Sequence, residues 1–99
     1  MTELDKLEAY LKENSITYER RDEPESIYRL GMHIICVPEF DPDKRQYDAI
    51  CQYGSYGYEE GLLEIMGDIV DVKAGGDTVE GWLTAKEVIE RIEKVHPAK

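Results

Sequence analysis

The sequence predicts an α+β domain: an N-terminal helix, a mainly antiparallel sheet of three or four strands, and a C-terminal helix packed on one sheet face. Three observations point there. Apolar residues recur at three- and four-residue spacing near both chain ends, each time behind a helix-capping pattern. The middle of the chain alternates apolar and polar residues in short runs separated by turn-forming residues. At 99 residues the chain has room for one hydrophobic core, so residues 1–99 read as a single domain.

Thr2 caps the first helix, Asp5 sits at its third position, and Leu4, Leu7 and Leu11 form its apolar stripe. Tyr10 widens that stripe, Glu8 and Lys12 pair on the exposed side, and Asn14-Ser15 ends the helix. Ile16 to Arg20 alternates and predicts a first strand ahead of the polar turn Asp22-Glu23-Pro24-Glu25. Tyr28 to Val37 predicts a central strand, because both of its faces are apolar toward its end. Pro38 to Lys44 is turn chemistry, and Gln46 to Tyr53 is the next strand. A hairpin pivoting on Asp43-Lys44 sets Cys36 opposite Cys51 and Ile34 opposite Tyr53, a match that a one-residue slip destroys.

Gly54 to Gly61 is a loop rich in glycine and tyrosine. Leu62 to Val70 reads two ways: Leu62, Ile65, Met66 and Ile69 fit a helical stripe, while Gly61 and Gly67 bracket a run short enough for a strand. The strand is preferred. Lys73 to Asp77, around Gly75-Gly76, reads as a turn or a mobile loop. In the last helix Thr84 and Glu87 make a capping box, and Leu83 staples against Val88. Ala85, Val88, Ile89, Ile92 and Val95 form its buried stripe, and Glu87-Arg91 and Glu90-Lys94 its exposed pairs. Trp82 is assigned to the core, and Pro97 stops the helix.

Composition narrows the function classes. Hydrophobic residues make up 41% and charged residues 34% of the chain, which places it among globular rather than disordered sequences. The longest apolar run, Met32 to Val37, interrupted by His33, is far short of the ~20 residues of a membrane span. The acidic start Met1-Thr2-Glu3-Leu4-Asp5 is unlike a secretory signal. Two cysteines point to a reduced, cytoplasmic protein.

There are 12 Lys+Arg against 22 Asp+Glu, a formal net charge of -10, which argues against direct nucleic-acid binding and for a basic partner. Most of the excess is central: residues 1–38 carry -3, residues 39–80 carry -8 and residues 81–99 carry +1. Duplex DNA presents about one charge per 1.7 Å, so the central excess matches roughly four base pairs, or about 14 Å. An acidic surface of that size competes for a nucleic-acid-binding groove.

No motif fixes a chemistry. His33, Cys36, Cys51 and His96 are ligand types that zinc accepts, but His33 and Cys36 lie three apart on a strand and point to opposite faces. Cys36 and Cys51 as cross-strand neighbours would supply two ligands or a disulfide; buried, reduced cysteines are preferred, and no cofactor is expected. Asp41-Pro42-Asp43 lacks the central glycine and terminal glutamate of a calcium loop. Gly54, Gly57 and Gly61 fit neither phosphate-binding nor dinucleotide-binding spacing. No nucleophile, base and orienting group assemble, so an enzyme is not expected. Tyr56 and Tyr58, held in the glycine-rich loop, read either as interface anchors or as rings folded over the sheet.

The segment from Tyr47-Asp48-Ala49-Ile50-Cys51 through Gly54-Ser55-Tyr56-Gly57-Tyr58-Glu59-Glu60-Gly61-Leu62-Leu63-Glu64-Ile65-Met66-Gly67, followed by Val79-Glu80-Gly81-Trp82-Leu83-Thr84-Ala85, resembles a family of small acidic proteins. These proteins, themselves uncharacterised, occur in phages, prophages and other mobile elements of Gram-positive bacteria. The resemblance carries no catalytic motif. It implies a setting in which small acidic domains act on host machinery, anti-CRISPR inhibitors among them.

The expected function is therefore a non-enzymatic binding protein that blocks a basic nucleic-acid-handling host protein, with a CRISPR effector nuclease as the leading case. Glu39, Asp41 and Asp43 on the hairpin turn and Glu59 and Glu60 in the tyrosine loop supply the charge, with Tyr56 and Tyr58 as anchors. The rival expectations are a structural or regulatory phage protein acting as a homodimer, and a small metal-binding protein using Cys36 and Cys51.

Overall fold

Helix α1 spans Glu3–Glu13 and helix α2 spans Ala85–Val95; between them five strands run β1 Glu19–Glu23, β2 Met32–Val37, β3 Tyr47–Ile50, β4 Leu63–Gly67 and β5 Val79–Leu83. The structure, a computed structural model, describes residues 1–70 and 79–97. The turn expected at Lys73 to Asp77 lies outside the described residues. The strands form one antiparallel sheet in the order β1-β2-β3-β4-β5, so each strand pairs with its neighbour in sequence. The α+β architecture is the predicted one, with five strands in place of three or four.

Both helices start as the sequence indicates. In α1 the Thr2 side chain accepts from the backbone N–H of Asp5 while the Asp5 carboxylate accepts from that of Thr2; Thr84 and Glu87 repeat the arrangement in α2. Leu4, Leu7 and Leu11 of α1 and Ala85, Val88 and Ile92 of α2 are buried. They meet Ile35 and Val37 of β2, Tyr47 and Ala49 of β3, and Leu63 and Ile65 of β4 in one cluster. Alternation along each strand therefore gives one sheet face to the helices and turns the other away from them. Val95, expected in the stripe, is 43% exposed.

The sheet departs from expectation in three places. First, β1 starts at Glu19 and takes Asp22 and Glu23 into the ladder; the expected pair Glu8 and Lys12 gives way to bonds from Tyr18 Oη and Arg20 Nη1 to Glu8. Second, β2 begins at Met32, because Ser26 and Arg29 bond to each other and close a turn that leaves Ile27, Tyr28 and Leu30 exposed.

The third departure is the hairpin register. Cys36 faces Asp48 and Ile34 faces Ile50, a displacement of three residues from the expected pairing. The loop is closed by Gln46 N–H on the Val37 carbonyl and pinned by the Asp41 carbonyl, which accepts from Lys44 and Arg45. An odd displacement exchanges faces. Tyr47 and Ala49 thus share the core with Ile35 and Val37, while Cys36 lies on the other face beside Asp48.

Within Leu62 to Val70 the strand alternative holds, as β4 over Leu63–Gly67. Its pairing with β5 shifts between Leu63 and Ile65: Leu63 faces Leu83 and Ile65 faces Glu80, so Gly81 and Trp82 together oppose Glu64. This is a β-bulge, which bends a strand and re-aims the side chains at the bend. Trp82 is consequently 56% exposed with φ of +56°, not part of the core.

Candidate functional site

The connection from β3 to β4 carries the tyrosine loop, and its own backbone bonds hold it in shape. Ser55 N–H donates to the Gln52 carbonyl at 2.8 Å, and Leu62 N–H donates to that of Gly57 at 2.9 Å. Tyr58–Glu60 form a single 3-10 turn between two left-handed glycines, Gly57 and Gly61.

The loop is also tied to the bulge. The Tyr56 N–H donates to Glu64 Oε1 at 2.9 Å, and the Tyr56 carbonyl accepts from Trp82 N–H at 3.2 Å. Two glycines permit this approach. A Cβ on Gly81 would overlap that of Tyr56, and one on Gly57, at φ +100°, would sit 2.9 Å from Leu62 Cβ and 3.1 Å from Trp82 Cα.

With the backbones in contact, the Tyr56 and Trp82 rings stack at 5.0 Å between centroids, and Tyr53 and Tyr58 meet edge to face at 6.0 Å. Between them lies a groove of about 480 Å³ lined by Tyr53, Tyr56, Tyr58, Glu59, Glu60 and Trp82. The β1–β2 connection abuts it, since Tyr53 N–H donates to the Gly31 carbonyl at 3.2 Å. The Glu25 carboxylate beside Tyr58 raises that phenol's pKa, with desolvation adding to the effect. Ile27, Tyr28, Leu30, Tyr53, Tyr56 and Trp82 are all exposed at this end of the sheet.

Glu59 and Glu60 are exposed there, and their carboxylates make no hydrogen bond or ion pair among the described residues. Among the described residues, no Lys or Arg lines the groove. The structure thus brings together four of the expected residues, Tyr56, Tyr58, Glu59 and Glu60.

Glu39, Asp41 and Asp43 lie elsewhere. Strand β3 separates the β2–β3 connection from the tyrosine loop, so the two acidic groups occupy opposite ends of the sheet, more than about 10 Å apart at ~3.4 Å per residue. Cations also accompany the hairpin acids. Lys44 Nζ stands 3.6 Å from Glu39 Oε1, and Arg45 bonds Asp48 at 3.2 Å and the Phe40 carbonyl at 2.6 Å. Arg21 lies over the Phe40 ring at 5.1 Å. Asp41 turns its carboxylate onto the N–H of Asp43. Burial raises the Asp48 carboxyl above its ordinary range, with Arg45 opposing the shift. Glu39, Asp41 and Asp43 are therefore not beside Glu59 and Glu60.

The remaining polar chemistry is a row across three strands. Asp22 pairs with His33, whose Nδ1 is 2.7 Å from Asp22 Oδ1, and Cys51 N–H donates to the His33 carbonyl. Asp22, His33 and Cys51 line a cavity of about 380 Å³ beneath the start of α1. The order Asp, His, Cys suggests a nucleophile with its base, but burial raises the Cys51 thiol, which favours its protonated form. No sulfur hydrogen bond joins Cys51 to His33 among the described residues. Cys51 packs against the helix-side core whereas Cys36 pairs with Asp48 on the opposite face, so the two thiols do not converge. No group of three or more His, Cys, Asp or Glu is placed to hold a metal ion among the described residues. No helix is long and apolar enough to cross a membrane among them.

Sequence reasoning missed Trp82, Tyr53 and the exposed Ile27-Tyr28 pair as members of this end. One signal was available for Trp82: counting back from the buried Leu83 at a period of two puts its neighbour on the opposite face.

Comparison of the chain with protein-family models, with curated proteins and with solved structures finds no match in any of the three.

Proposed function

We propose that this chain is a non-enzymatic binding protein of phage or mobile-element origin, acting in the host cytoplasm. It inhibits a basic nucleic-acid-handling host protein, for which a CRISPR effector nuclease is the leading candidate. The observation that carries this reading is the loop end of the sheet, where exposed aromatics surround two carboxylates that no cation of the described chain neutralises. Tyrosine and tryptophan are the side chains on which interface energy concentrates. Unpaired acids beside them select a basic partner and speed its approach. The net charge of -10 repels nucleic acid, so inhibition works by occupying the partner's groove. The hairpin acids Glu39, Asp41 and Asp43 contribute long-range attraction from the far end.

The test is a DNA-binding assay on guide-loaded CRISPR effector nucleases with increasing amounts of this protein. Loss of DNA binding that weakens steeply between low and high salt is expected. Inhibition indifferent to salt, or none by any basic nucleic-acid-handling protein tried, would sink the reading.

A further inference from the structure

We infer that the groove between the Tyr56–Trp82 stack and the Glu59-Glu60 turn takes the arginine side chain of an extended basic segment. This deepens the proposed function and rests on it for the placement of the docking surface.

The first argument is conformational. Trp82 holds φ of +56°, a left-handed backbone that is a genuine outlier for a bulky residue and costs roughly 1–2 kcal/mol over the ordinary regions. A glycine would take this position without that cost. An indole kept there and 56% exposed contributes little to the core. Such outliers concentrate where a surface is used.

The second argument is chemical. The groove combines π faces with carboxylates, both of which attract cations, and none of its lining residues among those described is basic. Among cationic side chains, a guanidinium is the better match. It is planar and stacks on indole and phenol faces, and its five N–H donors reach carboxylates in the same plane. An ammonium is a strongly hydrated point charge that gains less from a ring. Arg21 over Phe40 at 5.1 Å shows that the fold already accommodates this geometry elsewhere.

The third argument is rigidity. Tyr56 is bonded through both its N–H, to Glu64, and its carbonyl, to Trp82, so the stack stands formed before a ligand arrives. Preformed sites avoid the ordering cost of binding.

Trp82 is the sole tryptophan of the chain, and its fluorescence therefore reads the groove directly. The full-length protein is titrated with two unstructured peptides of equal length and charge, one carrying arginines and the other lysines. The arginine peptide is expected to change Trp82 emission and to bind about tenfold more tightly, as a stacked guanidinium implies. By calorimetry, Trp82→Leu removes that preference while Glu59→Gln with Glu60→Gln weakens both peptides. The second variant touches nothing buried and keeps the test valid if the first unfolds. Equal affinity for the two peptides at unchanged salt dependence overturns the arginine site and leaves the docking surface standing. Binding abolished by Asp43→Asn and untouched at Trp82, Glu59 and Glu60 overturns both.

Discussion

At the scale of single residues, the candidate surface depends on two glycines and one tryptophan. Gly81 has no room for a Cβ because Tyr56 occupies that space, and Gly57 packs against Leu62 and Trp82 at a positive φ. Gly81→Ala is therefore expected to push Tyr56 off the bulge at a cost of about 1–3 kcal/mol, the range for overfilling a packed contact. Urea denaturation would measure the cost, and a shift of Trp82 emission in the folded protein would report the lost stack. Trp82→Gly behaves differently. It relieves a strained backbone, worth ~1 kcal/mol, and gives up a ring contact worth ~0.5–1.5 kcal/mol, so the two nearly cancel. Stability within about 1 kcal/mol of the parent, together with lost peptide binding, would mark Trp82 as a surface residue; a large destabilisation would return it to the core.

At the scale of elements, the helices are legible in the sequence and the hairpin is not, and the difference is one of range. A capping box is settled within four residues: Thr2 with Asp5 and Thr84 with Glu87 each satisfy two backbone donors locally. Strand register depends instead on how nine residues of turn close. Here Asp41 and Gln46 fix a closure that moves Cys36 from Cys51 to Asp48, and no alternation pattern reports it. The tyrosine loop was legible as a loop, and the position of Trp82 beside the buried Leu83 was open to period-two counting, but its contact with Tyr56 depends on a bulge that such counting does not report. The caps also carry a pH dependence. Bonds from the Thr2 backbone and side chain lower the Asp5 carboxyl, and those from Thr84 lower Glu87. A depressed folded-state pKa gives stability that is complete above the unfolded values, 3.8 for Asp and 4.5 for Glu, and is lost as pH falls through the folded values. Among the described residues Asp48, raised mainly by burial, acts in the opposite sense. The melting temperature is expected to fall on acidification from about pH 5 to about pH 2.5. Thr84→Val should cost ~1 kcal/mol at neutral pH and flatten part of that acid slope; an unchanged slope in thermal melts would remove the α2 cap as a source.

At the scale of the whole molecule, one core and one net charge set opposite limits. Both helices bury their leucine, valine and isoleucine stripes on the same sheet face, and the Glu3 carboxylate reaches across the chain to accept from Ala85 N–H at 2.8 Å. Ile92→Ala, at a fully buried position, is expected to cost ~2–5 kcal/mol, a large share of the ~5–15 kcal/mol typical of a domain. Charge works against this core. At -10 the folded chain repels itself more than the expanded one does, and added salt screens that repulsion. Salt also screens the exposed ion pairs, such as Lys6 with Glu3 and Lys44 with Glu39, but exposed pairs are worth little. Arg20, held among Asp5, Glu8 and Asp22, and Arg91, bonded to Glu80, are partly buried and screened less. The repulsion should therefore dominate the response. Raising sodium chloride from about 0.02 to about 0.5 M, which shortens the screening length to a few ångströms, should lift the melting temperature by several degrees. The same change should weaken binding to a basic partner, because the carboxylates of the loop end act through the field that salt removes. Stability and affinity moving in opposite directions in one salt series is the signature of an acidic surface kept for a partner. A melting temperature that falls with salt would instead assign the acids to internal ion pairing.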